Sequence, residues 1–471
     1  MGVVSGTGLD LVLTRRLQLG DPGGHVRRAM ELFPIRGVTE RILERYFIPG
    51  GKPENQPYRS KPMPAVEPSR FLEELIVVGN FVEVFLAKEG HSGSVGINYL
   101  EKIQLPLLPS LYGAMLAGVD YVLMGAGIPK AVPGILDRLS HGEPARQKLY
   151  VEGAQAGEEA ATEFDPQAFS QGQVGKLARP KFLAIISSAT LGTMLARRSD
   201  GKVDGFVVEG ATAGGHNAPP RGPLQLNAAG EPIYGERDRA DLPAIQAIGL
   251  PFWLAGGYAT PDDFILARKA GAVGVQVGTA FAFCEESDLE PEVKQWVLKA
   301  SQAHQARVLT DPLASPTGFP FKVLQMPGTL SDPSCYDGRP RRCDLGYLRQ
   351  AYRTPDGTLG WRCSAEPLED YVRKGGSAED IRGRKCLCNA LLANIGLGQL
   401  LADGSTEKPL ITSGDDVALV ARFLRPGAES YRAMDVIRQI LPGDFEFDPF
   451  LDEGEQIPVD GELELAASPG L

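Results

Sequence analysis

A chain of 471 residues with 43% hydrophobic and 23% charged side chains is globular in composition, long enough for roughly two or three domains or one large barrel with additions. Its net charge of −11 argues against a general nucleic-acid surface and against binding to an anionic membrane surface. No run of about 18 apolar residues is present, and the start, MGVVSGTGLDLVL, lacks the basic and long apolar regions of a secretory signal, so a cytoplasmic protein is expected.

Val3 to Thr7 reads as a buried strand ending in a polar, glycine-bearing turn. Residues 26–47 read as two short amphipathic helices separated near Pro34 and Gly37, and residues 48–68 as a Pro- and Gly-rich loop. Phe81 to Ala87 is predicted as the next strand, with a glycine-rich turn and Gly96-Ile97-Asn98 after it. A helix over Leu105–Leu116 precedes a strand over Tyr121–Met124, which stops at Gly125-Ala126-Gly127. A short helix covers 130–139, and residues 140–180 form an excursion of charged and small residues.

Phe182 to Ile186 is a strand, and Leu191, Met194 and Leu195 mark a helix by their spacing. Gly205 to Gly222 then reads GFVVEGATAGGHNAPPRG: a buried strand, Phe206-Val207-Val208, breaking into a Gly-Gly-His loop. Residues 222–240 are polar, and Leu242, Ile245 and Ile248 mark a helix. Phe252 to Ala255 is a strand ended by Gly256-Gly257. Thr260-Pro261-Asp262-Asp263 starts a helix with an N-cap, a proline at its first position and acidic residues near the positive dipole end. Val273 to Val277 follows as a strand and stops at Gly278-Thr279.

A helix is read over 284–304; beyond about residue 310 the alternation stops, and Pro, Gly, Arg and Cys rise. The expected division is residues 1–310 as a barrel domain and 311–471 as an accessory region, with helices near 386–402 and 428–441 and a loose acidic tail. Segments 117–127, 201–212 and 270–280 share one form, in which a helix ends, a short apolar strand follows and a glycine loop closes it. Strand, loop and helix alternating in this way argue for a parallel α/β barrel, with a doubly wound sheet as the alternative.

The chemistry gathers at strand ends. His216, one of five histidines, titrates near neutrality and follows bare backbone at Gly214-Gly215, an arrangement suited to proton transfer beside a ligand. Gly256-Gly257 and Gly278-Thr279 close consecutive strands, where backbone N–H groups make an anion or phosphate site. No Walker sequence and no GxGxxG occurs. Of six cysteines, Cys343, Cys363, Cys386 and Cys388 have the number and chemistry for a tetrahedral site, but without a CxxC pair buried thiols explain them equally well, and no metal is assigned.

On the Ala-Gly-Gly-His loop and the later AGG and QxGT strand ends, residues 1 to about 285 resemble the nitronate monooxygenase family, formerly 2-nitropropane dioxygenases. The resemblance implies a TIM-barrel flavoprotein using FMN, an oxidoreductase that oxidises nitroalkanes or alkyl nitronates with O2 as a monooxygenase. It implies His216 as the base that removes the proton alpha to the nitro group. Asn98, Gly214, Gly256, Gly257, Gln276, Val277, Gly278 and Thr279 are the implied flavin contacts. Glu209 stands where many members carry glutamine, and a carboxylate there disfavours an anionic reduced flavin unless it is protonated or paired. The region after 310 is similar to the extension of longer family members.

The family's first strand, of Gln-Gly-Gly-Met type, has no counterpart here. About seven candidate strands stand where a closed barrel has about eight, so an open edge beside the site and an upstream extension of the chain are expected. Two alternatives accompany the main reading: a flavin-dependent enoyl reductase acting in trans in fatty-acid or polyketide synthesis, and a non-catalytic partner protein that keeps the barrel surface. The expected partners are small molecules and O2, without nucleic acid or membrane; assembly into a homo-oligomer stays open.

Overall fold

The computed structural model describes residues 1–441; the acidic tail lies outside the described residues. Its centre is one seven-stranded sheet. The strands are β1 (Gly2–Ser5), β2 (Val95–Leu100), β3 (Tyr121–Gly125), β4 (Lys181–Ile186), β5 (Gly205–Glu209), β6 (Phe252–Ala255) and β7 (Gly274–Gln276). Every neighbouring pair is parallel, and spatial order equals chain order. Each connection therefore steps the same way round the sheet, as in a (β/α)8 barrel; a doubly wound sheet reverses direction. Among the described residues β1 and β7 are edge strands with no pairing between them, so this TIM-type barrel is open between them, seven strands standing where a closed barrel has eight. Near the opening, Arg16, in the helix after β1, pairs with Asp288 beyond β7 (2.5 Å) and with Glu83 (2.8 Å).

Alternation along the strands sorts the two faces of the sheet. Val122, Met124, Phe182, Ala184, Ile186, Phe206, Val208, Phe252 and Leu254 join the large core shared with the outer helices. Leu123, Leu183, Val207 and Ala255 form a separate small cluster, which is the barrel interior. The same parity fixes three polar positions at the C-terminal strand ends. Asn98 is in register with Leu123, and both Glu209 and Gln276 with Ala255, so all three belong to the inner face.

The predicted strand at Phe81–Ala87 is corrected: these residues lie in a helix, Arg70–Lys88. Ser69 caps it, its hydroxyl accepting from the Leu72 N–H at 3.3 Å. The helix is buried on almost all sides, from Leu72 through Val84, so its period is hidden and Phe-Val-Glu-Val-Phe mimics a strand. The second strand is instead Val95–Leu100, placing Asn98 within a strand where a glycine turn was expected. The strand count of seven stands with this exchange of members. The other strands and the helix that Thr260 caps lie where expected; the helix read over 284–304 begins later, at Pro291.

Residues 140–180 contain a small antiparallel pair, Ala145–Lys148 with Ala161–Phe164. Beyond β7 the chain forms antiparallel hairpins: β8 (Val308–Asp311) with β9 (Phe321–Leu324), and β10 (Gln350–Arg353) with β11 (Leu359–Arg362). Val151–Glu152, from the excursion, adds to β10 in parallel. Helices follow at Leu387–Ala393 and Ala433–Ile440. Val417, Val420, Phe423, Tyr431 and Val436 pack with Ala280, Phe283, Val293 and Val297, so the late segments share a core with the helices after β7.

Candidate active site

A cavity of about 720 Å³ opens at the C-terminal ends of the strands, the end at which barrels of this type carry their sites. Asn98, Glu209, Gly214, His216, Gly256, Gly257, Gln276, Val277, Gly278 and Thr279 all line it. Chain segments more than 180 residues apart, read only as separate strand ends, thus share one chamber.

The Gly-Gly-His loop is held from outside the barrel. Gly215 has φ 80°, a left-handed conformation that glycine adopts without strain. Its N–H donates to Thr412 Oγ1 (3.0 Å), and its carbonyl accepts from Lys322 N–H (2.9 Å). His216 forms an antiparallel bridge with Phe321 of β9, and Asn217 N–H donates to the Pro320 carbonyl (2.9 Å). A β-carbon on Gly214 would stand 2.8 Å from Gly414 N, so glycine there permits the close approach of the 413–414 backbone.

His216 Nε2 lies 2.7 Å from Ser315 Oγ, and the ring meets Phe321 edge-on with centroids 4.7 Å apart. Ser315 is itself fixed, accepting from Thr317 N–H at 3.2 Å and sharing a 2.8 Å hydrogen bond with the Thr317 hydroxyl. Nδ1 makes no hydrogen bond among the described residues. Burial lowers the imidazole pKa to about 4, so the ring is neutral at neutral pH.

Glu209, at the end of β5, has no partner among the described residues, and burial raises its carboxyl to about 8. It is a neutral acid at neutral pH and brings no charge into the barrel. Asn98 Oδ1 is buried without a hydrogen-bond partner. Thr279 Oγ1 accepts from Gly414 N–H (2.8 Å). Asp416 faces the same hydroxyl; burial raises its pKa, and Thr279 and Arg422 oppose that shift.

Several lining residues had no sequence-level mark. Tyr347, Leu348, Leu387, Leu391, Leu392 and Ile395 form an apolar wall, and Thr412–Gly414 with Asp416 a polar one. The polar stretch Thr412-Ser413-Gly414-Asp415-Asp416 is recognisable as a loop in sequence, but its position against Gly214 is set by the fold.

Residues 139–313 match the family model described as nitronate monooxygenase. The probable nitronate monooxygenase of Bacillus subtilis (strain 168) is 38% identical over 102 residues, 21% of this chain and 27% of that protein. That of Staphylococcus haemolyticus (strain JCSC1435) is 33% identical over 131 residues, 27% of this chain and 35% of that protein. The chain thus matches 27% and 35% of the length of these two curated relatives. FabK from Thermotoga maritima shares 18% identity, with a TM-score of 0.41 over 77% of this chain and 78% of that one. Nitroalkane oxidase from Streptomyces ansochromogenes shares 12% identity, with a TM-score of 0.40 over 77% and 84%. The chain is an α/β protein of the TIM-barrel type. Its resemblance to the nitronate monooxygenase family holds, with the matched stretch covering the Gly-Gly-His loop and both later glycine turns.

Proposed function

We propose that this chain is a flavin-dependent oxidoreductase that binds FMN and oxidises alkyl nitronates or nitroalkanes with O2. The site has features that fit the cofactor. Asn98 offers a buried amide oxygen with no protein partner. A β-carbon at Gly278 would meet no protein atom within 4 Å, and one at Gly257 only Thr212 Oγ1 at 3.7 Å, so bare backbone lines this end of the cavity. Backbone N–H groups there suit a phosphate. The neutral Glu209 offers a hydrogen-bond donor to a bound flavin without adding charge. When bound, the flavin supplies two-electron oxidation of substrate and reduction of O2.

The observation that carries the reading is His216: a neutral imidazole on the cavity wall, oriented through Nε2 by Ser315, with Nδ1 unengaged. Nδ1 accepts the proton alpha to the nitro group of a neutral nitroalkane and leaves the nitronate for oxidation. A preformed nitronate needs no such transfer. Anaerobic mixing of FMN-loaded protein with a nitronate tests the proposal. Bleaching of the flavin bands supports it, and an unchanged spectrum removes it. His216→Asn is expected to lower turnover of neutral nitroalkanes by about 10²- to 10⁴-fold and to spare nitronates; equal loss on both substrates removes the base assignment.

A second reading, reduction of an enoyl thioester, is favoured by the apolar arm of the cavity. Leu9, Val12, Leu348, Leu391, Leu392 and Ile395 offer more greasy surface than a short nitroalkane covers. NADPH consumption driven by an enoyl thioester, with no oxygen uptake on nitronates, selects it.

A further inference from the structure

We propose that Cys343, Cys363, Cys386 and Cys388 form a tetrathiolate site for one thiophilic metal ion, zinc or iron, at the seam between the late segments and the barrel cavity. The four come from three separate stretches: the loop before β10, the residue after β11, and the entry to helix Leu387–Ala393. The fold, and not their irregular spacing, brings them together. All four line one small void, with Pro316, Leu345, Leu348 and Ala365 among the rest of its wall, and all are free thiols. Cys363 and Cys386 form a small buried cluster with Ala365, and Cys343 and Cys388 pack against it, Cys388 touching the main core as well. Cys284 and Cys335 lie outside it.

The surroundings are those of metal-bound sulfur. Asn389 Nδ2 donates to Cys386 Sγ at 3.5 Å and to Asp344 Oδ1 at 2.7 Å, tying the two sides of the void together. Ion pairs surround the thiols: Arg339 pairs with Glu407 at 2.6 Å and Lys374 with Glu366 at 2.7 Å. Donors aimed at sulfur orient metal ligands and tune them, and four thiolates without an open position define a closed, structural site.

The void is small, about 10 Å³. Among the described residues, no three such ligands already stand in metal-holding geometry, so binding an ion here requires the thiols to close in. Cys388, Leu387 and Leu348 line both this void and the large cavity, so an ion here fastens the apolar wall of the candidate active site. This inference stands apart from the proposed reaction.

The test is elemental analysis of the untagged full chain purified under reducing conditions without chelator. The expected result is about one equivalent of zinc or iron per chain, the metal found deciding between the two. Cys363→Ser and Cys386→Ser are expected to lose it, and Cys284→Ser and Cys335→Ser to keep it. Because the first two variants can fail to fold, the wild-type chain is also stripped and titrated with Co2+, where thiolate-to-cobalt absorption bands are expected. Absence of metal together with absence of those bands overturns the proposal. So does a Cys343–Cys363 disulfide in the unreduced wild-type chain, or acid-labile sulfide accompanying more than one iron.

Discussion

His216 Nε2 stands 2.7 Å from Ser315 Oγ, a residue 99 positions further along the chain. The histidine sits on a loop of the barrel and its orienting partner comes from the loop between β8 and β9. Ser315→Ala removes one neutral hydrogen bond, about 1–1.5 kcal/mol. The expected outcome is a roughly tenfold fall in kcat/KM for a neutral nitroalkane, with nitronate turnover unchanged. Steady-state oxygen uptake on both substrates checks it; equal loss on both would show that Ser315 supports the loop and not the ring.

His216 and Glu209, both buried, give opposite pH dependences. His216 falls from the ordinary 6.5 to about 4, so between these values the unfolded chain binds a proton that the folded chain does not. Stability therefore drops as pH falls through that window, by up to roughly 3 kcal/mol. Glu209 rises from the ordinary 4.5 to about 8, so the folded chain keeps a proton that the unfolded chain releases, and stability drops as pH rises through that range. Glu209→Gln is expected to leave stability near its original value at low pH and to raise it progressively up to pH about 8, by several kcal/mol at most. Urea denaturation at a series of pH values, with His216→Asn in parallel, reads both slopes.

Asn98 holds a buried amide oxygen without a partner. A group in that state costs the free protein about 1–3 kcal/mol. Asn98→Ala is therefore expected to stabilise the flavin-free chain while weakening FMN binding. Thermal denaturation without cofactor and quenching of flavin fluorescence during titration measure the two effects. Stabilisation with unaltered FMN affinity would count against this residue as a flavin contact.

Asp416 stands beside Thr279, at the end of the cavity assigned to the phosphate. Its carboxylate opposes an incoming anion, the more so as pH rises and it ionises. Asp416→Asn is expected to tighten FMN binding several-fold, on the scale of about 1 kcal/mol for one partly screened charge. The gain should be larger for FMN than for riboflavin, which lacks the phosphate. Titration with both flavins checks it, and equal gains would place the phosphate elsewhere.

Six of the seven strands and the glycine ends are legible because each is a local pattern: an apolar run of strand length, a glycine where the chain turns, and a capped helix after Thr260. The Gly-Gly-His loop, the paired glycines at 256 and 257, and Gln276 through Thr279 needed nothing beyond neighbouring residues to be noticed. The helix over Arg70–Lys88 escaped because burial on nearly every side erases the polar stripe that reveals helical period. Asn98 was noticed, but its place in a strand follows from pairing with β1 and β3, which are distant in sequence.

Sequence by itself determined the alternation of strands and helices and six of the seven strands found among the described residues, with the glycine turns at their ends. These depend on side-chain period and backbone preference within a few residues. Only the tertiary structure decided that Ser315 orients His216, that Asp416 reaches Thr279, and that four irregularly spaced cysteines share one void. Such contacts join segments with no local pattern in common. They exist because the late segments bury apolar side chains against the main core and the helices after β7, and that packing sets which polar groups meet.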